Sequence, residues 1–78
     1  MMISELRWME LIRNELKRYM DEQNMTQREL ADKAGLSEMS ISRYMSCDRL
    51  MSLKAAMNIS YALGIDINDL VDFGQRIN

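Results

Sequence analysis

The sequence predicts an all-α domain of five helices, and three observations predict it. Proline is absent and glycine occurs only three times, so the chain reads as helices joined by short turns. Apolar residues recur at three- and four-residue spacing, and no run alternates polar with β-branched residues as a strand would. Each apolar segment opens on Ser, Thr or Asp, and most close on Gly or Asn. At 78 residues, 47% of them hydrophobic, the chain suffices for one small core and is read as a single domain over 1–78.

Ser4 is the expected N-cap of a long first helix, with Glu5 placed to favour the helix dipole. The helix should run to about Gln23 and stop near Asn24, with Ile12, Leu16, Tyr19 and Met20 facing inward. Leu6, Trp8, Met9, Leu11 and Ile12 cover nearly the whole circumference, so this end needs cover from more than one side. Phe73 and Ile77, or a second subunit, are the candidates for that cover.

Thr26-Gln27-Arg28-Glu29 reads as a capping box that opens helix two, and Met25 with Leu30 fits a hydrophobic staple. Leu30, Ala31 and Ala34 should face inward, and Gly35 ends the helix where positive φ is often needed. Ser37 caps helix three, whose apolar stripe is Ile41, Tyr44 and Met45. That helix fades at Ser46-Cys47-Asp48, and a loop follows through Met51. Ser52 caps helix four, with Leu53, Ala56, Met57, Ile59, Ala62 and Leu63 expected inside and Gly64 as its stop. Asp66 caps a short helix five that buries Ile67, Leu70 and Val71 and ends near Gly74.

Two short helices joined by a glycine turn, at about 26–46, form an arrangement that can place the start of the second helix in a DNA major groove. The residues Thr26-Gln27, Leu30-Ala31, Gly35-Leu36-Ser37 and Ile41-Ser42-Arg43-Tyr44 extend this reading. Together with Ile59, Ala62-Leu63-Gly64-Ile65 and Asp69-Leu70, they give a chain that resembles the Cro and phage-repressor type of helix-turn-helix domain, the XRE-like family. The resemblance covers about residues 12–72 with continuous spacing. It implies a five-helix, lambda-repressor-like fold, here with an extended first helix. It also implies a bacterial or phage transcription regulator that binds a pseudo-palindromic operator in double-stranded DNA as a homodimer. Helix five with its preceding loop, and the extended first helix, are the expected dimer surfaces.

By position in that family, Gln27 corresponds to a residue contacting phosphate at the start of helix two. Glu38, Met39, Ser42 and Arg43 occupy positions that meet base edges, and Ser37 and Ser40 positions that reach phosphates or bases. The side-chain chemistry leaves alternatives open. Glu38 can accept from cytosine N4, or only favour its own helix dipole. Met39 offers apolar contact, for instance to a thymine methyl. Arg43 can bind guanine through two hydrogen bonds, contact phosphate, or pair with Glu38 or Asp48. Arg28 and Arg49 read as phosphate contacts, and Lys33 as a solvated surface residue. Family members often carry an arginine in helix one and a glutamate in helix three that form an ion pair. Met20 and Met45 stand at those positions here and are expected to touch, since apolar residues replace such a pair without desolvating charge. The family's glycine after helix three is also absent, with Cys47-Asp48 in its place.

The formal net charge is −2, and residues 26–49 carry four basic and four acidic side chains. DNA-binding domains are usually basic. The balance therefore favours, as an alternative, a protein-interaction module on the same fold, such as an antirepressor, an antitoxin or the partner of a larger regulator. With one cysteine and no histidine, neither a disulfide nor a metal site is expected. Most of the nine methionines, among them Met9, Met20, Met45 and Met57, read as core gap-fillers, and Tyr61 and Trp8 as core or interface. No histidine base, phosphate loop or paired carboxylates suggest catalysis. No cofactor, small-molecule ligand or membrane contact is expected, and a reduced cytoplasm is the expected location.

Overall fold

The computed structural model describes residues 4–71. It contains helices α1 (Glu5–Glu22), α2 (Gln27–Ala34), α3 (Glu38–Met45), α4 (Leu53–Leu63) and α5 (Ile67–Val71), with no strand among the described residues. The helix starts follow the capping residues. The side chains of Ser4, Thr26, Ser37 and Ser52 each accept from the backbone N–H three positions on. At α5, the Asp66 carboxylate accepts from the Asn68 N–H at 2.8 Å, and the Asp69 carboxylate accepts from the Asp66 N–H at 3.2 Å.

Four helices end in one motif. A residue at the cap (α2, α4) or just after it (α1, α3) adopts positive φ, and the next N–H reaches back to a carbonyl five residues earlier. These returns are Met25 to Met20, Leu36 to Ala31, Asp48 to Arg43 and Ile65 to Ser60. Glycine occupies the left-handed position at Gly35 (φ 68°) and Gly64 (φ 71°), whereas Asn24 (φ 52°) and Cys47 (φ 61°) occupy it without that freedom.

The core gathers Ile12, Leu16 and Met20 from α1, Leu30, Ala31 and Ala34 from α2, Ile41 and Tyr44 from α3, and Leu70 from α5. Ala55, Ala56, Ile59 and Leu63 of α4 complete it. Met25 and Met45 pack against this cluster from outside, so Met20 and Met45 share one core. Helix α4 buries Ala56, Ile59 and Leu63 as expected, with Ala62 packed against the core, but Leu53 and Met57 do not go inside. Leu53 and Met57 stand 71% and 55% exposed, and Tyr61, expected in the core or an interface, is 86% exposed. Their place inside is taken by Ala55 and Ser60, and Ser60 donates its hydroxyl to the Ala56 carbonyl at 2.8 Å. The physical reason is size. Eight of the eleven positions of α4 are apolar, and the face rich in small residues (Ala55, Ala56, Ser60) lets the helix approach α2 and α5, its principal neighbours. At the start of α1, Trp8 is half-buried and Leu6 is exposed. Phe73, Ile77 and the expected end of helix five near Gly74 lie outside the described residues.

Candidate nucleic-acid interface

Local chemistry builds the α2–α3 unit. The Thr26 hydroxyl oxygen accepts from the Glu29 N–H at 3.1 Å, and the Glu29 carboxylate accepts from the Thr26 N–H at 2.9 Å. Hydrogen bonding to the Thr26 backbone, and then to its side chain, holds the Glu29 carboxyl below its ordinary pKa. Helix α2 ends at Gly35 in the left-handed region, where a side chain would be strained. Only Gly35 and Leu36 separate α2 from Ser37, the N-cap of α3.

Helix α3 is anchored along one side. Ile41 is wholly buried, Tyr44 is 8% exposed, and Met45 packs against the core. The spacing i, i+3, i+4 puts these three on one face. The other face carries Glu38, Met39, Ser42 and Arg43, all exposed, with Met39 at 64%. The first turn of α3 thus projects away from the core with its leading backbone amides unused by the helix.

A polar cluster joins this turn to the loop beyond α3. Ser37 donates its hydroxyl to the Ser40 hydroxyl oxygen at 2.9 Å, and the Arg49 guanidinium donates to the same oxygen at 3.2 Å. Because Ser40 accepts from both neighbours, its own proton is left to donate outward. Three of the residues singled out from the sequence are brought together here. Gln27, half-buried, and Arg28, exposed, sit in the first turn of α2, and neither side chain is hydrogen-bonded among the described residues.

Charge is partitioned along the fold. The ion pairs among the described residues, Arg7–Glu10, Lys17–Asp21, Arg18–Glu15 and Arg18–Glu22, all lie within α1. Arg28, Lys33, Arg43 and Arg49 have no carboxylate within ion-pair distance among the described residues. Arg43 therefore pairs with neither Glu38 nor Asp48, and Asp48 instead accepts the Ser46 hydroxyl at 2.8 Å. Exposed pairs of this kind add little stability. Their distribution matters more, because it leaves the cations of α2, α3 and the following loop available to an outside anion.

Two features had no signal in the local sequence. The Gln23 amide donates to the Leu63 carbonyl at 2.7 Å, tying the end of α1 to the end of α4 across 40 positions. The meeting of Arg49 with Ser40 spans nine positions and a change of chain direction.

A recognition-type helix held from behind by Ile41 and Tyr44, set on a two-residue glycine turn and facing outward with Arg43 unpaired, defines the class: a helix-turn-helix DNA-binding domain. The chain belongs to the Cro/C1-type helix-turn-helix DNA-binding domain family, whose profile matches residues 15–75. No curated protein and no solved structure matches it.

Proposed function

We propose that this protein is a sequence-specific regulator of transcription, of bacterial or phage type, that acts in the cytoplasm as a homodimer on a pseudo-palindromic operator. The single observation that carries this reading is the outward face of α3, where Met39 and Arg43 stand exposed and unpaired while Ile41 and Tyr44 fix the helix from behind. On this reading α3 enters the major groove and α2 crosses the backbone, and two copies sit about 34 Å apart. Arg43 reads a guanine, Met39 meets a thymine methyl, and Glu38 and Ser42 face base edges. Gln27, Arg28, Ser37, Ser40 and Arg49 hold phosphates and set the register. Control is by occupancy: the bound dimer excludes or recruits polymerase.

Selection from a random DNA library at low and moderate salt tests the reading. The expected result is a two-fold symmetric consensus whose affinity rises steeply as salt falls, as released counterions require. No enrichment at low salt would remove it.

The net charge of −2 and the apolar surface of α4 favour a second reading, a protein-interaction module on the same fold. Stable association with another protein, without DNA binding at low salt, would establish that one.

A further inference from the structure

We infer that the outer face of α4 is the surface through which two copies of this chain associate, packed antiparallel about a two-fold axis near Met57. The inference rests on the dimeric reading above and names its interface. Leu53, Met57 and Tyr61 follow one another at i, i+4 and i+8, and so share a face. They are also three of the six exposed large apolar side chains among the described residues, at 71%, 55% and 86%. Leu50, 43% exposed, precedes them in the chain. On α5, Leu70 is fully buried and Ile67 and Val71 pack against the core.

The occupant follows from shape and charge. A hollow lined by Met57, Ser60, Tyr61, Ile65, Asp66 and Ile67 flanks the C-terminal half of the stripe. Leu53 projects at the other end. Turning a second copy about Met57 sets Leu53 of each copy opposite Tyr61 of the other, beside this hollow. Lys54, next to Leu53, lies in the first turn of α4, where a cation opposes the helix dipole, and has no carboxylate within ion-pair distance among the described residues. Asp66, on the hollow's wall, has no cation within that distance. The same rotation brings Lys54 of each copy toward the negative end of the other's α4 and toward Asp66, so the cation at each helix start meets negative charge. A parallel arrangement would set like charge against like. Helix α4 packs chiefly on α2 and α5, with its opposite face outward.

The test is the oligomeric state of the full chain in solution, without DNA. Sedimentation should show a dimer for the unaltered protein and a monomer for Met57→Glu and Tyr61→Glu at the same concentration, with unchanged helical circular dichroism. In a Cys47→Ser background, Met57→Cys should give a disulfide-linked dimer on mild oxidation, because the two copies meet there. Lys54→Glu should weaken the dimer and Lys54→Arg should keep it, since only the first removes the cation. A monomeric unaltered protein, a dimer that survives Met57→Glu and Tyr61→Glu, or an equal loss for Lys54→Glu and Lys54→Arg would overturn the inference. The first of these would leave the stripe to a different protein. Failure here with intact half-site binding spares the DNA reading, whereas a confirmed dimer without DNA binding removes only that reading.

Discussion

Arg49 donates to the hydroxyl oxygen of Ser40 at 3.2 Å and so ties the loop after α3 to the first turn of α3 itself. A cation and a serine hydroxyl are thereby held side by side at the outward end of that helix. If the pair grips a phosphate, Arg49→Ala should weaken binding to all operator variants alike. It should also reduce the slope of log affinity against log salt by about one. Titrations at several salt concentrations measure both quantities. A loss confined to one base position would contradict this role.

Arg43 and Gln27 should respond differently from Arg49 and from each other. Arg43→Ala is expected to relax preference at one base pair, by about 1–3 kcal/mol, because a guanidinium on a guanine edge supplies discrimination. Gln27→Ala should weaken every site while leaving the salt slope nearly unchanged, since an amide donates to phosphate without releasing a counterion. A repeated site selection on each variant separates the two outcomes.

Cys47 closes α3 in the left-handed region at φ 61°. A β-carbon there costs about 1–2 kcal/mol, against a smaller entropic penalty for glycine. Cys47→Gly should therefore raise unfolding stability by about 0.5–1 kcal/mol in urea. The hydrogen bonds from Cys47 to Tyr44 and from Asp48 to Arg43 use backbone atoms and are retained. An unchanged or lower midpoint would show that the thiol contributes packing that offsets the strain.

Glu29 carries a pH dependence of known sign. Its folded pKa lies below the ordinary value of 4.5, because the carboxylate accepts hydrogen bonds from Thr26. The unfolded chain therefore takes up the proton first, and the contribution of Glu29 to stability is full above pH 4.5 and is lost as pH falls through the folded value. Glu29→Gln keeps an acceptor and removes the charge. The stability gap between the two proteins, measured by urea unfolding, should be present at neutral pH and close in acid. A gap that widens on acidification would contradict the assignment.

The helices and their limits were legible because caps are local. The Thr26–Glu29 box, the serines at 37 and 52, and the glycines at 35 and 64 each act within a few positions, so the chain displays them directly. The facing of α3 was legible for a related reason: Ile41, Tyr44 and Met45 form a single narrow stripe, and only one rotation buries it. Helix α4 offered no such contrast. Leucine, methionine, isoleucine and tyrosine surround it, and counting apolar residues selected Leu53 and Met57 for the core. The candidate site shows the same division. Glu38, Met39, Ser42 and Arg43 share an exposed face that helical spacing alone prescribes, whereas the separation of Arg43 from Asp48, whose carboxylate accepts the Ser46 hydroxyl, had no such local signal.

The amino-acid order by itself determined where each helix starts, where α1 to α4 stop and which side of α3 looks outward, since these follow from hydrogen bonds and periodicity over one or two turns. Only the tertiary structure decided that small residues of α4 face inward while Leu53, Met57 and Tyr61 remain on the surface, and that Arg49 returns to Ser40. Those outcomes depend on how closely neighbouring helices approach and where a loop is carried, which are properties of the packed assembly of elements and not of any one of them.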